Sequence, residues 1–406
     1  MSIPYDAIVV GARCAGSPTA MLLARKGYRV LAVDRATFPS DTISTHHIHA
    51  PGVSALERWG VLDRVVATGT PPIDTYAVDF GHFTITGRPG TAYAPRRTVL
   101  DKLLVDAASG AGAEIREGFT VESLVVEDGR VTGIRGHAKG GSTVSEKARV
   151  VVGADGRYSF VADAVDAAEY DTKPKLLASY YSYWSDLPMD GRFANWVRPN
   201  RGMAAWPTND GLTLVIAGWP YREFEANRND VERHFFETLD TAPEFAERVR
   251  GAKREERFVG AAVPGYFRKP YGPGWALVGD AGYNKDYITA QGISDAFRDA
   301  EACADALDQT FTGTRPFEEA MEDFTSERDA QVKAMYELTA DFAALEPPSP
   351  ELQQLLAAVS RSPEDMDDFA RVLAGVTSPA EFFSDENAGR ILATAAAPGV
   401  EMSRGG

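Results

Sequence analysis

Residues Tyr5–Val10 read Y-D-A-I-V-V, an apolar run of the length expected for a strand buried on both faces. Gly11-Ala12-Arg13-Cys14-Ala15-Gly16 follows, and the Ala, Leu and Met spacing of Ser17–Lys26 fits a buried helix closed by Gly27. Arg29–Asp34 (R-V-L-A-V-D) is then a second strand whose last residue is acidic. Strand, glycine turn, helix and strand in that order make a βαβ unit, and its handedness leaves few folds open. The unit binds a dinucleotide. Its glycines permit a tight turn and close helix packing, the helix amino end faces a pyrophosphate, and Asp34 accepts bonds from a ribose diol. Gly11, Arg13, Cys14, Ala15 and Gly16 line that turn, with Arg35 next to the acid. Arg13 stands where the usual pattern has its middle glycine. Either the phosphates sit farther out, or the guanidinium covers them and replaces backbone contact with charge. Asp34 would repel the 2′-phosphate of NADP, so FAD or NAD is favoured here.

A length of 406 residues suggests two or three domains. Lys and Arg number 42 against 58 Asp and Glu, a net charge of −16, so phosphate backbones and anionic lipid are repelled and nucleic acid is not an expected partner. Cys14 and Cys303 are the only cysteines, which excludes a disulfide scaffold and a cysteine-based metal knuckle. The amino terminus lacks the basic patch and apolar core of a signal peptide, and no apolar window is long enough to span a membrane. The expectation is a cytoplasmic globular protein.

Farther along, Arg149–Tyr158 (R-V-V-V-G-A-D-G-R-Y) is a strand ending in an Asp-Gly turn, and Gly274–Gly282 (G-W-A-L-V-G-D-A-G) is a buried strand ending in Gly-Asp. A long helix is predicted to begin at Ile288. With these three motifs at their joint spacing, the chain resembles the FAD-dependent aromatic hydroxylases, the p-hydroxybenzoate-hydroxylase-like (group A) flavoprotein monooxygenases. It is similar as well to their geranylgeranyl-reductase-like cousins, over about residues 3–340. The resemblance implies an α/β fold: a Rossmann-like FAD-binding domain with an inserted, mostly antiparallel β-sheet substrate domain and a helical C-terminal tail. The expected FAD-binding domain is 1–73 with 96–172 and 270–345, the substrate domain 74–95 with 173–269, and the tail 346–406. Resident FAD is implied, with NADH or NADPH as a transient reductant that owns no second Rossmann domain. Matched motif by motif, Gly11, Arg13, Gly16 and Asp34 hold the ADP half, and Arg97 of R-T-V-L-D clasps the phosphates or ribityl chain. Asp155 belongs to an Asp-Gly motif tied to FAD and NAD(P)H handling. Gly279 and Asp280 meet the ribityl hydroxyls, and Gly292 and Ile293 turn backbone N–H groups to the flavin's pyrimidine edge, where reduced flavin is negative. Two departures concern oxygen activation: Ala281-Gly282-Tyr283 stands for the family's Ala-Ala-His, and Tyr287 for its proline.

Two stretches, Ile73–Tyr93 and Leu176–Val263, read as short strands separated by turns. The second concentrates aromatic residues. Alternation puts Tyr181 and Tyr183 on one face and Tyr180 with Trp184 on the other. Tyr181, Tyr183, Trp206 and Trp219 are the candidates to line a cavity for a flat aromatic or polycyclic substrate. His46, His47 and His49 cluster in S-T-H-H-I-H. No carboxylate is placed to complete a metal triad, so no metal is expected. In the family this loop passes the flavin's reactive edge, which makes His46 and His47 candidates to donate to substrate or act as acid or base near neutral pH. Arg315–Leu345 is predicted as one long helix, short helices follow, and Pro398–Gly406 is expected to fray. The implied activity is an NAD(P)H- and dioxygen-consuming monooxygenase acting through a flavin C4a-hydroperoxide, as a monomer or homodimer, in a tailoring or catabolic step. The alternatives are a prenyl-reductase-like enzyme reducing a C=C bond and a non-catalytic flavin sensor. A halogenase would carry Trp-x-Trp-x-Ile-Pro, where Tyr183–Pro188 reads Y-W-S-D-L-P.

Overall fold

The computed structural model describes residues 4–396. Tyr5–Val10 is buried along almost its whole length because both of its edges are paired. Val30–Asp34 and Val144–Gly153 run parallel to it on either side, and Glu114–Glu117 and Trp275–Leu277 extend the parallel order outward. Helices Gly16–Arg25, Arg97–Gly110 and Gly292–Phe311 cover one face of this sheet, packing Leu23, Leu100 and Phe297 against Val9 and Val152. The carboxyl ends of the strands, where ligands bind in such sheets, therefore open under these helix starts. A hairpin, Phe119–Glu127 with Arg130–Ala138, extends Val144–Gly153 in the antiparallel sense.

The second large sheet is mostly antiparallel. Leu177–Ser185, Thr213–Pro220, Arg201–Pro207 and Arg192–Arg198 lie side by side. Thr75–Asp79 joins them through the one parallel pairing, Phe193 with Tyr76, and Thr84–Gly87 forms the far edge. Helices Val231–Leu239 and Pro243–Gly251 cover one face, stacking Phe235 on Trp184 and Phe245 on Trp196. The opposite face gathers Tyr76, Tyr181, Tyr183, Phe193 and Trp206.

The long helix is Phe317–Ala343, and the tail forms helices Pro350–Val359, Pro363–Leu373, Pro379–Phe382 and Asp385–Ala396. Pro398–Gly406 lies outside the described residues. The helix expected from Ile288 begins at Gly292, because Tyr287–Thr289 is a single 3-10 turn and Ala290 is left-handed at φ +53. Among the described residues no helix is long and apolar enough to cross a membrane.

Candidate active site

Three chain segments meet at the end of the parallel sheet. Gly11 leaves its strand at φ +99, and a Cβ on it would lie 2.4 Å from the Ala154 carbonyl oxygen. A Cβ on Gly16 would lie 1.7 Å from the Gly11 carbonyl oxygen. Gly279, at φ +58, brings the third segment so close that its Cβ would lie 2.8 Å from that of Ala15. Backbone approach therefore demands glycine at all three positions. No side chain caps the helix that starts at Gly16, which suits an anion held on its first-turn N–H groups.

Asp34 braces this turn. One carboxylate oxygen accepts from the Ala12 N–H at 2.8 Å and the other from the Ala36 N–H at 2.8 Å, and each keeps a lone pair for a ribose diol. Arg35 beside it is exposed. Arg13 does not lie free over the turn. Its guanidinium pairs with Asp101 at 2.5 Å and donates to the Ser40 hydroxyl at 2.7 Å. Arg97 pairs with the same carboxylate at 3.0 Å through Nε, and the Cys14 thiol lies 3.4 Å from it. Two guanidinium groups over one fully buried carboxylate leave a net positive charge beside the turn, the sign a diphosphate needs. Burial pushes the Cys14 thiol up, so it stays protonated and serves as packing.

The Gly279–Ala281 turn is fastened from behind. Gly279 N–H donates to Asp299 at 3.2 Å, while Arg298 bridges Asp299 at 2.9 Å and Asp295 at 2.8 Å. Buried Lys285 pairs with Asp295 from the other side. The Tyr266 hydroxyl lies 2.8 Å from the Asp280 carbonyl and 3.1 Å from that of Arg157, stitching two distant loops together. Asp280 itself turns an exposed carboxylate to the cleft, and among the described residues it has no hydrogen-bond partner. Asp155 is engaged otherwise: it accepts from the Ser159 hydroxyl at 2.5 Å and the Val161 N–H at 3.3 Å, capping helix Phe160–Ala164. Gly292 is exposed, a Cβ there would meet nothing, and no side chain caps the helix it opens, whereas Ile293 is buried. The Tyr287 hydroxyl, at the position of the family's proline, donates to Ala261 O at 2.5 Å and lies 3.0 Å from the Ser179 hydroxyl.

The histidine segment joins this cleft to the aromatic face of the second sheet. His46, held at φ 55, has Nε2 2.5 Å from the Tyr183 hydroxyl. Tyr181 accepts from the Ser44 N–H at 3.3 Å. The Tyr76 hydroxyl sits between His47 Nε2 and His49 Nδ1, 2.7 Å from each, and His49 Nε2 lies 2.9 Å from Thr289 O. A carbonyl only accepts, so His49 carries its proton on Nε2 and Nδ1 accepts from Tyr76. Tyr76 in turn accepts from His47 Nε2–H, and His47 Nδ1 is left as a bare lone pair. Burial pushes His46 down to about 3, with Arg97 and Arg96 adding to the effect, and it pushes His47 well below its ordinary value. Burial therefore favours the neutral form of both rings, and each keeps Nδ1 free for a hydrogen bond.

Tyr181, Tyr183 and Trp206 share the aromatic face, since Tyr183 and Trp206 both pair with Leu214. Trp219 does not reach it. It pairs with Ala178, one residue out of phase with Tyr181, and stacks on Tyr180 at 5.7 Å on the opposite face. Asp101, Asp295, Asp299, Lys285, Tyr76 and His49 belong to the site although motif reading does not single them out as its residues. The signal for Asp101 was present in R-T-V-L-D, four residues after Arg97.

A turn that only glycine can make, two uncapped helix starts, a paired diol acceptor and an unpartnered carboxylate all fit FAD. The fold and cleft define a flavoprotein of the Rossmann type. The chain belongs to the FAD binding domain family, whose model matches residues 4–339, and it is an FAD-dependent oxidoreductase. Digeranylgeranylglycerophospholipid reductase 2 of Methanopyrus kandleri is 27% identical over 387 residues, 91% of this chain and 93% of that protein. A flavin-dependent brominase superposes with a TM-score of 0.81 at 17% identity, covering 97% of this chain and 98% of that one. A probable FAD-dependent monooxygenase from Pseudomonas aeruginosa gives 0.71 at 21% identity, covering 91% and 99%. At these identities the superpositions speak for the fold.

Proposed function

We propose that the protein is a cytoplasmic FAD-dependent monooxygenase that uses NADH or NADPH and dioxygen to oxygenate an aromatic or polycyclic small molecule. One substrate C–H, one dioxygen and one NAD(P)H with a proton would give a hydroxylated product, water and NAD(P)+. The observation that carries the reading is the aromatic face of the second sheet, closed against the cleft by His46 and Tyr183 at 2.5 Å. FAD, when bound, supplies hydride acceptance and oxygen activation. The chain's residues position and exclude. Arg13 and Arg97 would hold the diphosphate, Asp34 and Asp280 the two sets of hydroxyls, and the N–H groups at Gly292 would favour negative charge at the pyrimidine edge. Tyr181, Tyr183 and Trp206 would hold a flat ring and keep water out. His46 would accept or donate at Nδ1, its one unpartnered nitrogen, while Tyr183 fixes the ring through Nε2.

A second reading, reduction of a C=C bond, is favoured by Tyr287 in place of the family's proline and by the likeness to the archaeal reductase over nearly the whole chain. Oxygen dependence separates the two. The yellow holoprotein is supplied with NADH or NADPH in air and then under argon, with a panel of phenols and polyketides. Monooxygenation gives ligand-stimulated oxygen uptake and a product one oxygen atom heavier. Turnover that persists under argon, with a product two hydrogen atoms heavier, would overturn it in favour of the reductase.

A further inference from the structure

We infer that the C-terminal helix Pro363–Leu373 is a wall of the substrate chamber, and that Leu373, Ala370 and Ala374 limit the size of aromatic the chamber accepts. The inference rests on the aromatic-substrate reading above. Ala370 and Ala374 are buried in the same cluster as Tyr76, Tyr181, Tyr183 and Trp206, with Leu373 packed against it. Two of the smallest side chains thus face the largest ones across the cluster.

The wall is anchored on three sides. At the sheet edge, a Cβ on Gly87 would lie 2.3 Å from the Met366 carbonyl oxygen and 2.8 Å from the Ala370 Cβ, and the Arg88 N–H donates to Asp367 at 2.7 Å. Behind it, buried Asp365 pairs with Arg390 of the last helix at 2.7 Å, and Phe369 lies 5.8 Å from Phe382. Toward the flavin side, Gln291 donates through Nε2 to Leu373 O at 2.8 Å. Gly375, at φ +71, lets the chain turn there, and a Cβ on it would lie 2.9 Å from Gln291 Oε1. Gln291 is the N-cap of the helix whose first N–H groups face the expected pyrimidine edge. The tail therefore touches both the sheet that roofs the chamber and the element that borders the flavin.

An independent observation marks this cluster as a place for a ligand. His46 Nδ1, His47 Nδ1 and Trp206 Nε1 are buried without a hydrogen-bond partner, and all three belong to rings on or against the aromatic face. Buried polar atoms are almost always paired, so three orphans in one cluster call for a polar group that the chain does not provide. Trp219 Nε1, in the core behind the opposite face, is an orphan as well, so it is the gathering of three on one face that distinguishes this cluster.

The test uses the full-length holoprotein and perturbation of the flavin absorbance on titration with phenol, 2-naphthol and emodin, a ladder of increasing ring size. Ala374→Leu should weaken emodin about tenfold or more while leaving phenol within about twofold, since added methylenes in a shaped pocket discriminate at that level. Leu373→Ala should do the reverse, tightening emodin relative to phenol. A larger side chain at a fully buried position also strains the core, so FAD content and melting temperature are recorded for both variants. The smaller Leu373→Ala decides the matter if Ala374→Leu does not fold. Changes that are equal across the three probes, no change in either variant, or a wild-type protein that binds none of the probes would overturn the wall. The functional reading fails by a different result: probes bind in order of size, yet no oxygenated product forms.

Discussion

An imidazole loses more by ionising inside a protein than in water, and the three clustered histidines show the consequence. Burial pushes His46 down to about 3 and His49 to about 4, and holds His47 well below the ordinary 6.5. In the unfolded chain all three take up protons as the pH falls through 6.5, while the folded protein does not until far lower. The unfolded state thus binds more protons, and stability contributed by these neutral rings is complete above 6.5 and is lost on acidification. Asp286 works in the opposite sense. Its buried carboxyl is pushed up to about 7 from 3.8, so between those values the folded state keeps a proton that the unfolded chain has released. The three histidines outweigh the one carboxyl that titrates near 7, so the unfolded chain takes up more protons than the folded one as the pH falls from 7. The melting temperature of the holoprotein should therefore drop between pH 7 and pH 5 at constant ionic strength, followed by circular dichroism. Asp286→Asn should steepen that drop and raise the melting temperature at pH 8, where the wild-type carboxylate is buried and charged. A melting temperature that stays flat from pH 7 to 5 in the wild type would contradict the assignment of three neutral rings.

Within single elements, much of the site could be read in advance and some could not. The phosphate turn was legible because strand, glycines, helix and acid are contiguous, and local sterics dictate each of them. The cross-sheet aromatics were legible only in part. Alternation along Leu177–Ser185 assigns Tyr181 and Tyr183 to one face, but the face of Trp219 depends on its register with Ala178, a relation between strands that no single strand encodes. The start of the flavin-side helix was displaced from Ile288 to Gly292 because Asp286, accepting from the Ile288 N–H at 2.9 Å, caps a separate 3-10 turn. Asp295, Arg298 and Asp299 look like the solvated face of a helix, and only the fold turns them onto the Gly279 loop. Asp101 is the clearest case. Spacing of i,i+4 from Arg97 reads as an ordinary helix-surface pair, yet it is fully buried and also holds Arg13 from a distant segment. Asp101→Ala would leave two guanidinium groups side by side without their shared counter-ion. It should cost about 3–5 kcal/mol in urea unfolding and release FAD on gel filtration, because a buried pair broken from one side leaves uncompensated charge. Retention of FAD and wild-type stability would mean that the two arginines find other partners.

At the scale of the whole molecule, the segments around Gly11, Asp155 and Gly279 close one cradle, and the tail reaches it through Gln291 and Leu373. A ligand seated there contacts parts of the chain that are far apart in sequence, so its binding energy becomes stability of the assembled arrangement rather than of one element. For a ligand that binds only the folded state, each tenfold rise in free ligand above its dissociation constant adds about 1.4 kcal/mol. Apoprotein titrated with FAD should show its melting temperature climbing with the logarithm of FAD concentration, and NAD at equal concentration should leave it nearly unchanged. Amide hydrogen exchange adds the spatial test. On addition of FAD, protection should rise in the Gly11–Arg25 turn and helix, in 279–293, and in the tail helix 363–373 through its tie to Gln291. The distal part of the hairpin, around Glu127–Arg130, is tied by strand pairing to its own partner strand rather than to these segments and should exchange at an unaltered rate. If the tail helix exchanges as fast with FAD as without it while the turn is protected, then the cradle is assembled but the tail is energetically separate from it, and the hydrogen bond from Gln291 to Leu373 transmits nothing between them.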